Sequence, residues 1–261
     1  MPPRVVLVGL GRTGGALALG LKAAGWKPAV VTTSPARAKQ LKLRLATPRD
    51  RQRAELCIFA VPDAQVGVVA ADVLPDLGPE TALVHCAGAL GLGVFGQPKR
   101  RCGSFHPLVA ISDANDALGG RFAAIAANDP ELLRTLMEVA QALKMLVLEV
   151  DEKKRARYHA GAVMSAGLVM ALLDAAVEAT GLPRSIAEPA LLALTESAIR
   201  GAKTRGVQAS LTGPIVRGDA EVVNRHLEAL PEALRPLYRA LSRRALVLSG
   251  RPALDGVDLG S

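Results

Sequence analysis

The chain opens with Arg4-Val5-Val6-Leu7-Val8, followed at once by Gly9-Leu10-Gly11-Arg12-Thr13-Gly14. The first run is apolar and predicts a buried strand, and the pattern that follows predicts a helix over 15–24. The glycines stand in G-x-G-x-x-G spacing, which allows a tight turn, close approach of a phosphate to the backbone, and close packing of helix on strand. The N–H groups at the start of such a helix favour an anion. The motif therefore predicts a binding site for a dinucleotide pyrophosphate.

The second predicted strand, 28–33, ends in hydroxyl groups rather than in a carboxylate. A site for NAD usually places Asp or Glu about 20 residues after the glycines, where it accepts from the ribose 2′-hydroxyl. The residues at this position are hydroxyls and a cation, namely Thr32, Thr33, Ser34 and Arg37. Such groups can bind a 2′-phosphate that a carboxylate would repel. We therefore predict NADP(H) rather than NAD(H). The alternative is that Arg37 and Lys39 only form a solvated helix face.

Composition limits the class of protein. Half of the 261 residues are hydrophobic, which is enough to bury a substantial core. The net charge is +8, but only 3% of residues are aromatic and no basic run is interleaved with them, so we expect no nucleic-acid partner. The cysteines Cys57, Cys86 and Cys102 lie singly in apolar stretches, a pattern typical of buried thiols in a reducing compartment. His and Cys lack ligand spacing, so we expect no metal. The first strand leaves no room for a signal peptide, which favours a cytoplasmic protein.

Strand and helix patterns alternate over the first 150 residues. Further apolar runs predict strands at 56–61, 81–86, 103–107, 122–126 and 145–150. Near-continuous apolar runs are typical of a mostly parallel sheet covered on both faces. After Asp151 only helical patterns follow, at 153–179, 185–204, 220–230 and 231–249. We therefore predict an α/β fold in which a Rossmann NADP-binding domain, 1–150, precedes an all-α substrate and dimerisation domain, 151–261.

The segment 160–173 is apolar nearly all round. It is too short to span a bilayer comfortably, so we expect a buried helix and no membrane association. A helix of this kind needs cover on every side, from its own domain or from a second subunit. We expect a homodimer with the 153–179 helix at its interface.

Five short motifs carry a resemblance to a known family. They are Ala60-Val61-Pro62-Asp63, Cys86-Ala87-Gly88-Ala89-Leu90, Gly103-Ser104-Phe105-His106-Pro107-Leu108, Tyr158-His159-Ala160-Gly161-Ala162-Val163 and Leu211-Thr212-Gly213-Pro214-Ile215-Val216-Arg217-Gly218-Asp219. Together they resemble the Rossmann-like proteins with a C-terminal DUF2520 domain, over nearly the whole chain. That family is similar to pyrroline-5-carboxylate reductases, β-hydroxyacid dehydrogenases and ketopantoate reductases. The resemblance implies a reductase and, for some members, an alternative ketopantoate reductase activity.

The resemblance departs from the family pattern at one position of the long helix. The family tends to carry Asn eight residues after the helix His, where this chain has Gly167, with Ser165 nearby. If that Asn binds substrate in relatives, the role has moved to Ser165, the substrate differs, or the activity is absent.

Reduction of a carbonyl or imine by hydride transfer needs a proton donor beside the reacting oxygen or nitrogen. His106 follows a strand and precedes Pro107, at the strand end where open α/β sheets bind ligands. His159 lies near the start of the long helix. We predict His106 or His159 as the donor, with Ser165 further along that helix. The alternative is that each His only braces its surroundings, and we expect His85 to be structural and His226 to be solvated.

Two turns and one loop complete the predicted site. The turn Pro62-Asp63, preceded by Val61, and the turn Ala87-Gly88 follow successive strands and are expected to line the cofactor. Thr212 and Arg217 are expected to bind a substrate carboxylate, unless Arg217 pairs with Asp219 instead. We therefore predict an NADP(H)-dependent reductase that binds a small, ketopantoate-like oxo acid between its two domains. The alternatives are an imino-acid, pyrroline-carboxylate-like reductase and a non-catalytic NADP(H)-binding redox sensor.

Overall fold

The computed structural model describes residues 1–260. The chain forms two compact units, Met1–Met164 and a second unit that begins at Ser165. The strands of the first unit are β1 (Val5–Val8), β2 (Ala29–Val31), β3 (Arg44–Leu45), β4 (Leu56–Phe59), β5 (Ala82–His85), β6 (Cys102–Leu108), β7 (Phe122–Ala127) and β8 (Leu146–Glu149). Its helices are α1 (Arg12–Ala23), α2 (Pro35–Gln40), α3 (Pro48–Gln52), α4 (Val66–Val73), α5 (Pro130–Ala142) and the start of α6 (Arg155–Ser165).

The eight strands form one sheet in the order β3-β2-β1-β4-β5-β6-β7-β8. Neighbouring strands are parallel except for the antiparallel pair β6 and β7. The order from β3 to β6 is that of a Rossmann domain, in which the chain reverses direction across the sheet between β1 and β4. The predicted fold class is confirmed.

Alternation along the strands divides the core into two layers. Val5 and Leu7 of β1 belong to the layer that contains α1 and α5. Val6 and Val8 belong to the opposite layer, which contains α4. Both sets are buried because helices cover both faces of the sheet, which explains the unbroken apolar runs.

The segment between β2 and β4 contains structure that the sequence pattern does not predict. Strand β3 has only two residues, Arg44 and Leu45, and both are exposed at the sheet edge. Helix α3 starts with a capping box, in which Thr47 and Asp50 satisfy each other's backbone N–H groups. Elements this short bury too little apolar surface to give a periodic pattern.

The second unit is helical. Its helices are α7 (Gly167–Ala179), α8 (Arg184–Arg205), α9 (Val207–Ser210), α10 (Pro214–Arg217), α11 (Ala220–Ala229) and α12 (Arg235–Ser249). A small core joins Ile215 of α10, Val223 and Leu227 of α11 and Leu246 of α12. The irregular tail adds Leu254 to this core.

The long helix predicted over 153–179 is interrupted. A 3-10 turn precedes α6, and the backbone leaves the helical region at Ala166, so that α7 begins at Gly167. The apolar segment 160–173 is not covered within the single chain, since Leu168 and Met170 are more than half exposed, so cover by its own domain is not observed. The stretch Glu152–Ala179 is long and apolar enough to cross a membrane by length and composition, a test that core helices of soluble proteins also pass.

The division between the two units falls within α6, whereas the predicted boundary lies at Asp151, just after the last strand. The first turns of α6 belong to the first unit because their side chains contact β6. Arg155 donates to Ser104, and Tyr158 hydrogen-bonds His106.

Candidate active site

The glycine turn after β1 has three glycines with different surroundings. Gly9 has φ +93°, and a Cβ there would lie 2.6 Å from the carbonyl oxygen of Ala60. A Cβ at Gly14 would lie 2.1 Å from the carbonyl oxygen of Gly9. A Cβ at Gly11, the N-cap residue of α1, would meet no atom within 4 Å. Gly9 and Gly14 therefore allow close packing, whereas Gly11 leaves open space at the helix N-terminus.

That open space fits the pyrophosphate of a dinucleotide. The first N–H groups of α1 have no side-chain cap, and Arg12 is exposed beside them. An anion at this position would accept from the backbone and meet the positive end of the helix dipole.

The carboxyl ends of β1, β4, β5 and β6 surround a polar cavity of about 240 Å³. Its lining residues are Arg12 and Thr13 after β1, Asp63 after β4, Cys86 and Gly88 after β5, His106 and Pro107 of β6, Val109 and Ile111 of the next loop, and His159 of α6. All of them belong to the first unit. The structure thus brings together six residues that the sequence predicts for the site: Arg12, Thr13, Asp63, Gly88, His106 and His159. The predicted Val61 lies beside the glycine turn, since a Cβ at Gly9 would come within 2.8 Å of its Cγ1.

Two imidazoles form one wall of the cavity. The rings of His106 and His159 meet edge to face, with centroids 5.8 Å apart. A Cβ at Gly88 would lie 2.2 Å from Cδ2 of His159 and 3.1 Å from Cε1 of His106. Only glycine therefore lets the turn after β5 lie against both rings.

His106 is held by a hydrogen bond that the sequence does not predict. Its Nδ1 lies 2.9 Å from the hydroxyl oxygen of Tyr158, which leaves Nε2 as the ring nitrogen available to the cavity. Burial lowers the pKa of His106 to about 4, with further contributions from His159 and Arg155. The imidazole is therefore neutral near pH 7.

A buried cation lies behind this wall. The guanidinium of Arg155 is 1% exposed and donates from Nη2 to the hydroxyl of Ser104. Burial, followed by the charge of Arg155, lowers the pKa of His85 to about 4. The backbone at Ala87 and Gly91 opposes this shift, although neither ring nitrogen of His85 reaches good hydrogen-bond geometry with residues 1–260. His85 is thus a buried, neutral side chain, in keeping with its predicted structural role.

The side chains of Arg155 and Tyr158 are the site residues that sequence reasoning missed. With His159 they occupy positions i, i+3 and i+4 of α6, which share one helix face. Ser104 and His106 stand two apart on β6 and share one strand face. These matching spacings are the signal that could have found them.

Cys86 of the cavity is not a reactive thiol. Burial, followed by the charge of Asp63, raises the pKa of Cys86 to about 12. The thiol stays protonated near pH 7, when a nucleophile would need to be a thiolate.

The predicted ribose-phosphate residues follow β2 as expected. The hydroxyl of Thr32 accepts from the Ser34 backbone N–H at 3.1 Å, and Thr33 and Ser34 are exposed. Arg37 donates to Oε1 of Gln40 at 2.8 Å and lies 3.9 Å from a carboxylate oxygen of Asp113. The guanidinium of Arg37 is thus engaged by Gln40 and Asp113.

Three predicted site residues belong to the second unit. Ser165 is the last residue of α6, and Thr212 and Arg217 are exposed around the short helix α10. The alternative pairing of Arg217 with Asp219 is not observed, because Asp219 instead caps α11 by accepting from the Val222 N–H. A Cβ at Gly167, the position where the family tends to carry Asn, would meet nothing within 4 Å.

Residues 121–245 match DUF2520, a domain of unknown function. The match starts at the edge of β7, so the DUF2520 region includes the last two strands as well as most of the helices. The resemblance to Rossmann-like proteins with a C-terminal DUF2520 domain is confirmed.

Solved structures share the fold of the whole chain. A protein from Bacteroides fragilis, provisionally named an NADP oxidoreductase, has a TM-score of 0.76 and 23% identity over 92% of this chain and 96% of its own. A protein from Thermotoga maritima has a TM-score of 0.74 and 22% identity over 94% and 98%. Plasmodium falciparum pyrroline carboxylate reductase with NADP bound has a TM-score of 0.64 and 16% identity over 95% and 97%. No curated protein matches this chain by sequence. These likenesses establish the fold.

Proposed function

We propose that this protein is an NADP(H)-dependent reductase that delivers hydride to a C=O or C=N carbon of a small carboxylate substrate. The observation that carries the proposal is the polar cavity at the ends of β1, β4, β5 and β6. One side of it presents Arg12 at the N-terminus of α1, which suits the phosphates of a dinucleotide. The other side presents His106 and His159, which suit a reacting oxygen or nitrogen.

The residues present fit a nicotinamide dinucleotide. In this proposal the turn from Gly9 to Gly14 holds the pyrophosphate, and the turns Val61-Pro62 and Ala87-Gly88 line the ribose and nicotinamide. Thr33, Ser34 and Arg37 at the end of β2 favour a 2′-phosphate, because they supply donors and no carboxylate. When bound, the reduced cofactor supplies the hydride.

His106 is the proposed proton donor. A neutral imidazole whose Nδ1 is engaged by Tyr158 can donate from Nε2 to the substrate oxygen as negative charge develops there. His159 packs against His106 and restricts the space in which the reacting group can lie. Ser165 remains a proposed further site residue.

The proposed substrate class is a small, ketopantoate-like oxo acid. Thr212 and Arg217 are its proposed carboxylate-binding residues, supported by the exposure of the Arg217 guanidinium. A cyclic imine is the second candidate, because one structural neighbour is a pyrroline carboxylate reductase with NADP bound and another is a reductive aminase with NADPH.

Oxidation of NADPH against a panel of 2-oxo acids and cyclic imines tests the proposal, together with direct titrations of NADPH and NADH. We expect NADPH to bind more tightly than NADH and at least one compound of the panel to be reduced. Tight binding of NADPH with no turnover would favour a redox sensor instead. Absence of binding by either dinucleotide would overturn both functions.

We further propose a cytoplasmic homodimer that buries α6 and α7. Apolar side chains of α7 and of the adjoining α8 are exposed together, among them Leu168, Met170, Leu194 and Ile199. An exposed apolar surface of this kind favours cover by another protein surface over contact with water. Three free thiols are consistent with a reducing compartment.

A further inference from the structure

The observation concerns one face of α6 against one face of β6. Arg155 and Tyr158 are one turn apart on the helix, and Ser104 and His106 are two residues apart on the strand. Arg155 donates to Ser104, and Tyr158 hydrogen-bonds His106. The phenol of Tyr158 thus hydrogen-bonds a neutral imidazole, and the charge of the buried Arg155 acts on it.

The buried cation is not neutralised by a side-chain anion that it contacts. Nε and Nη1 of Arg155 are buried and have no hydrogen-bond partner within residues 1–260. Glu152, in the 3-10 turn before α6, opposes by its charge the lowering of the Arg155 pKa by burial, but its Oε1 accepts from the Leu92 backbone N–H at 2.8 Å. A buried charge without a compensating anion is strongly destabilising. Arg155 does not line the cavity, so a substrate carboxylate in the cavity would not reach it.

A neutral imidazole carries only one N–H proton that it can donate. His106 cannot give up its Nε2 proton and become an anion, so donation from Nε2 requires that Nδ1 receive a proton at the same time. The group at Nδ1 is the hydroxyl of Tyr158.

We propose that Tyr158 is a positioning residue for the reduction. It fixes His106 in the Nε2–H form and returns a proton to the ring at Nδ1. Arg155 is the fixed counter-charge for the phenolate that remains. This inference rests on the proposed function. As hydride from the reduced dinucleotide reaches the substrate carbon, the C=O π bond breaks and its oxygen takes the Nε2 proton of His106. The hydroxyl proton of Tyr158 passes to Nδ1, and the phenolate left behind faces Arg155 until solvent returns a proton.

The surroundings favour this direction of the hydrogen bond. Burial raises the pKa of Tyr158, so the phenol is protonated near pH 7, and the charge of Arg155 offsets part of the cost of ionising it. With a cation on one side, the oxygen lone pairs turn towards Arg155 and the O–H turns towards His106. The other titratable groups facing this pair are His159 on α6 and His85 on β5.

NMR of isotope-labelled histidine in the cofactor-free protein tests the tautomer directly, because the chain has only four His. We expect His106 to hold its proton on Nε2 in the wild type and to become a mixture of tautomers in Tyr158→Phe. Tyr238→Phe is a matched control, since Tyr238 hydrogen-bonds Nδ1 of His226 at 2.7 Å in the second unit. That variant should change His226 and leave His106 unaltered. A proton on Nδ1 of wild-type His106, or an unchanged tautomer in Tyr158→Phe, overturns the proposal.

Kinetics separates failure of this inference from failure of the proposed function. We expect Tyr158→Phe to lower turnover about 100-fold or more with NADPH affinity within about twofold. Arg155→Met should lower turnover at least about tenfold, because the phenolate loses its counter-charge. If wild-type protein reduces the substrate panel and both variants turn over within twofold of it, the relay is wrong and the reductase stands. If wild-type protein binds no dinucleotide, the reductase is wrong, and the NMR result still decides the hydrogen bond.

Discussion

Gly11 and Gly14 belong to one motif but have different structural roles. Gly14 packs helix against strand, whereas Gly11 faces open space. The spacing of the motif predicts both roles, and the atoms around each glycine agree with the prediction. Substitution at the two positions should therefore separate binding from stability.

We expect Gly11→Val to weaken NADPH binding by at least about tenfold, because its side chain fills the space proposed for the pyrophosphate. Thermal unfolding should be nearly unchanged, since no atom opposes the new side chain. Gly14→Ala should instead lower the free energy of unfolding by about 1–3 kcal/mol, because its Cβ overlaps the carbonyl of Gly9. Unimpaired NADPH binding by Gly11→Val would argue against the proposed pyrophosphate site.

Arg37 should set the preference between the two dinucleotides. We expect Arg37→Ala to weaken NADPH binding about tenfold, the loss of one charge-assisted contact, and to leave NADH binding unchanged. Lys39→Ala on the same short helix is the control and should alter neither. Fluorescence titration of both dinucleotides measures the effect, and equal losses for NADPH and NADH would contradict it.

His85 and His106 should make the fold sensitive to acid. Each has a folded-state pKa of about 4 against 6.5 for an ordinary His, so the unfolded chain binds more protons between these values. Stability therefore falls as the pH drops from about 6.5 towards 4. We expect His85→Leu to reduce this pH-dependent loss in the free energy of unfolding by roughly 2–3 kcal/mol. Denaturant unfolding at several pH values measures it, and a wild-type pH dependence in His85→Leu would contradict the prediction.

At the level of elements, α6 shows what a single sequence can and cannot reveal. Its helical pattern and the candidate His159 are readable from the residues alone. Its hydrogen bonds to β6 are not, because they depend on the register between a helix face and a strand face far apart in the chain. The break at Ala166 and the two-residue strand β3 are equally hidden, since neither changes the apolar pattern.

The exposed apolar surface of α7 should be an interface between two copies. We expect the wild type to run as a dimer in size-exclusion chromatography with light scattering at micromolar concentration. Leu168→Glu should shift it to a monomer, because a charge would be buried in the interface.

The matched control is Val68→Glu on α4, where the side chain is also exposed but lies in the first unit. This variant should stay dimeric. A wild-type monomer, or a dimer that survives Leu168→Glu, would remove the proposed interface.

At the scale of the whole molecule, the two units were predictable to different depths. The parallel sheet follows from near-continuous apolar runs, which are typical of strands covered on both faces, and the predicted strands all occur, although the residues of β8 are exposed. The helices of the second unit follow from periodicity, with bounds close to those predicted. The sequence does not show which surface covers α7. An apolar residue needs an apolar neighbour, but it does not identify that neighbour.

The polar cavity and the residues behind it are contained in one unit. The glycine turn, both imidazoles, the phenol and the buried guanidinium all precede Ser165. Under the proposed function, the residues for hydride and proton transfer would then evolve as one unit. The sequence of the helical unit could change with little effect on these transfers. Under the proposed function, in which Thr212 and Arg217 bind the substrate carboxylate, we predict that chimaeras exchanging the helical units of relatives follow the helical donor in substrate choice.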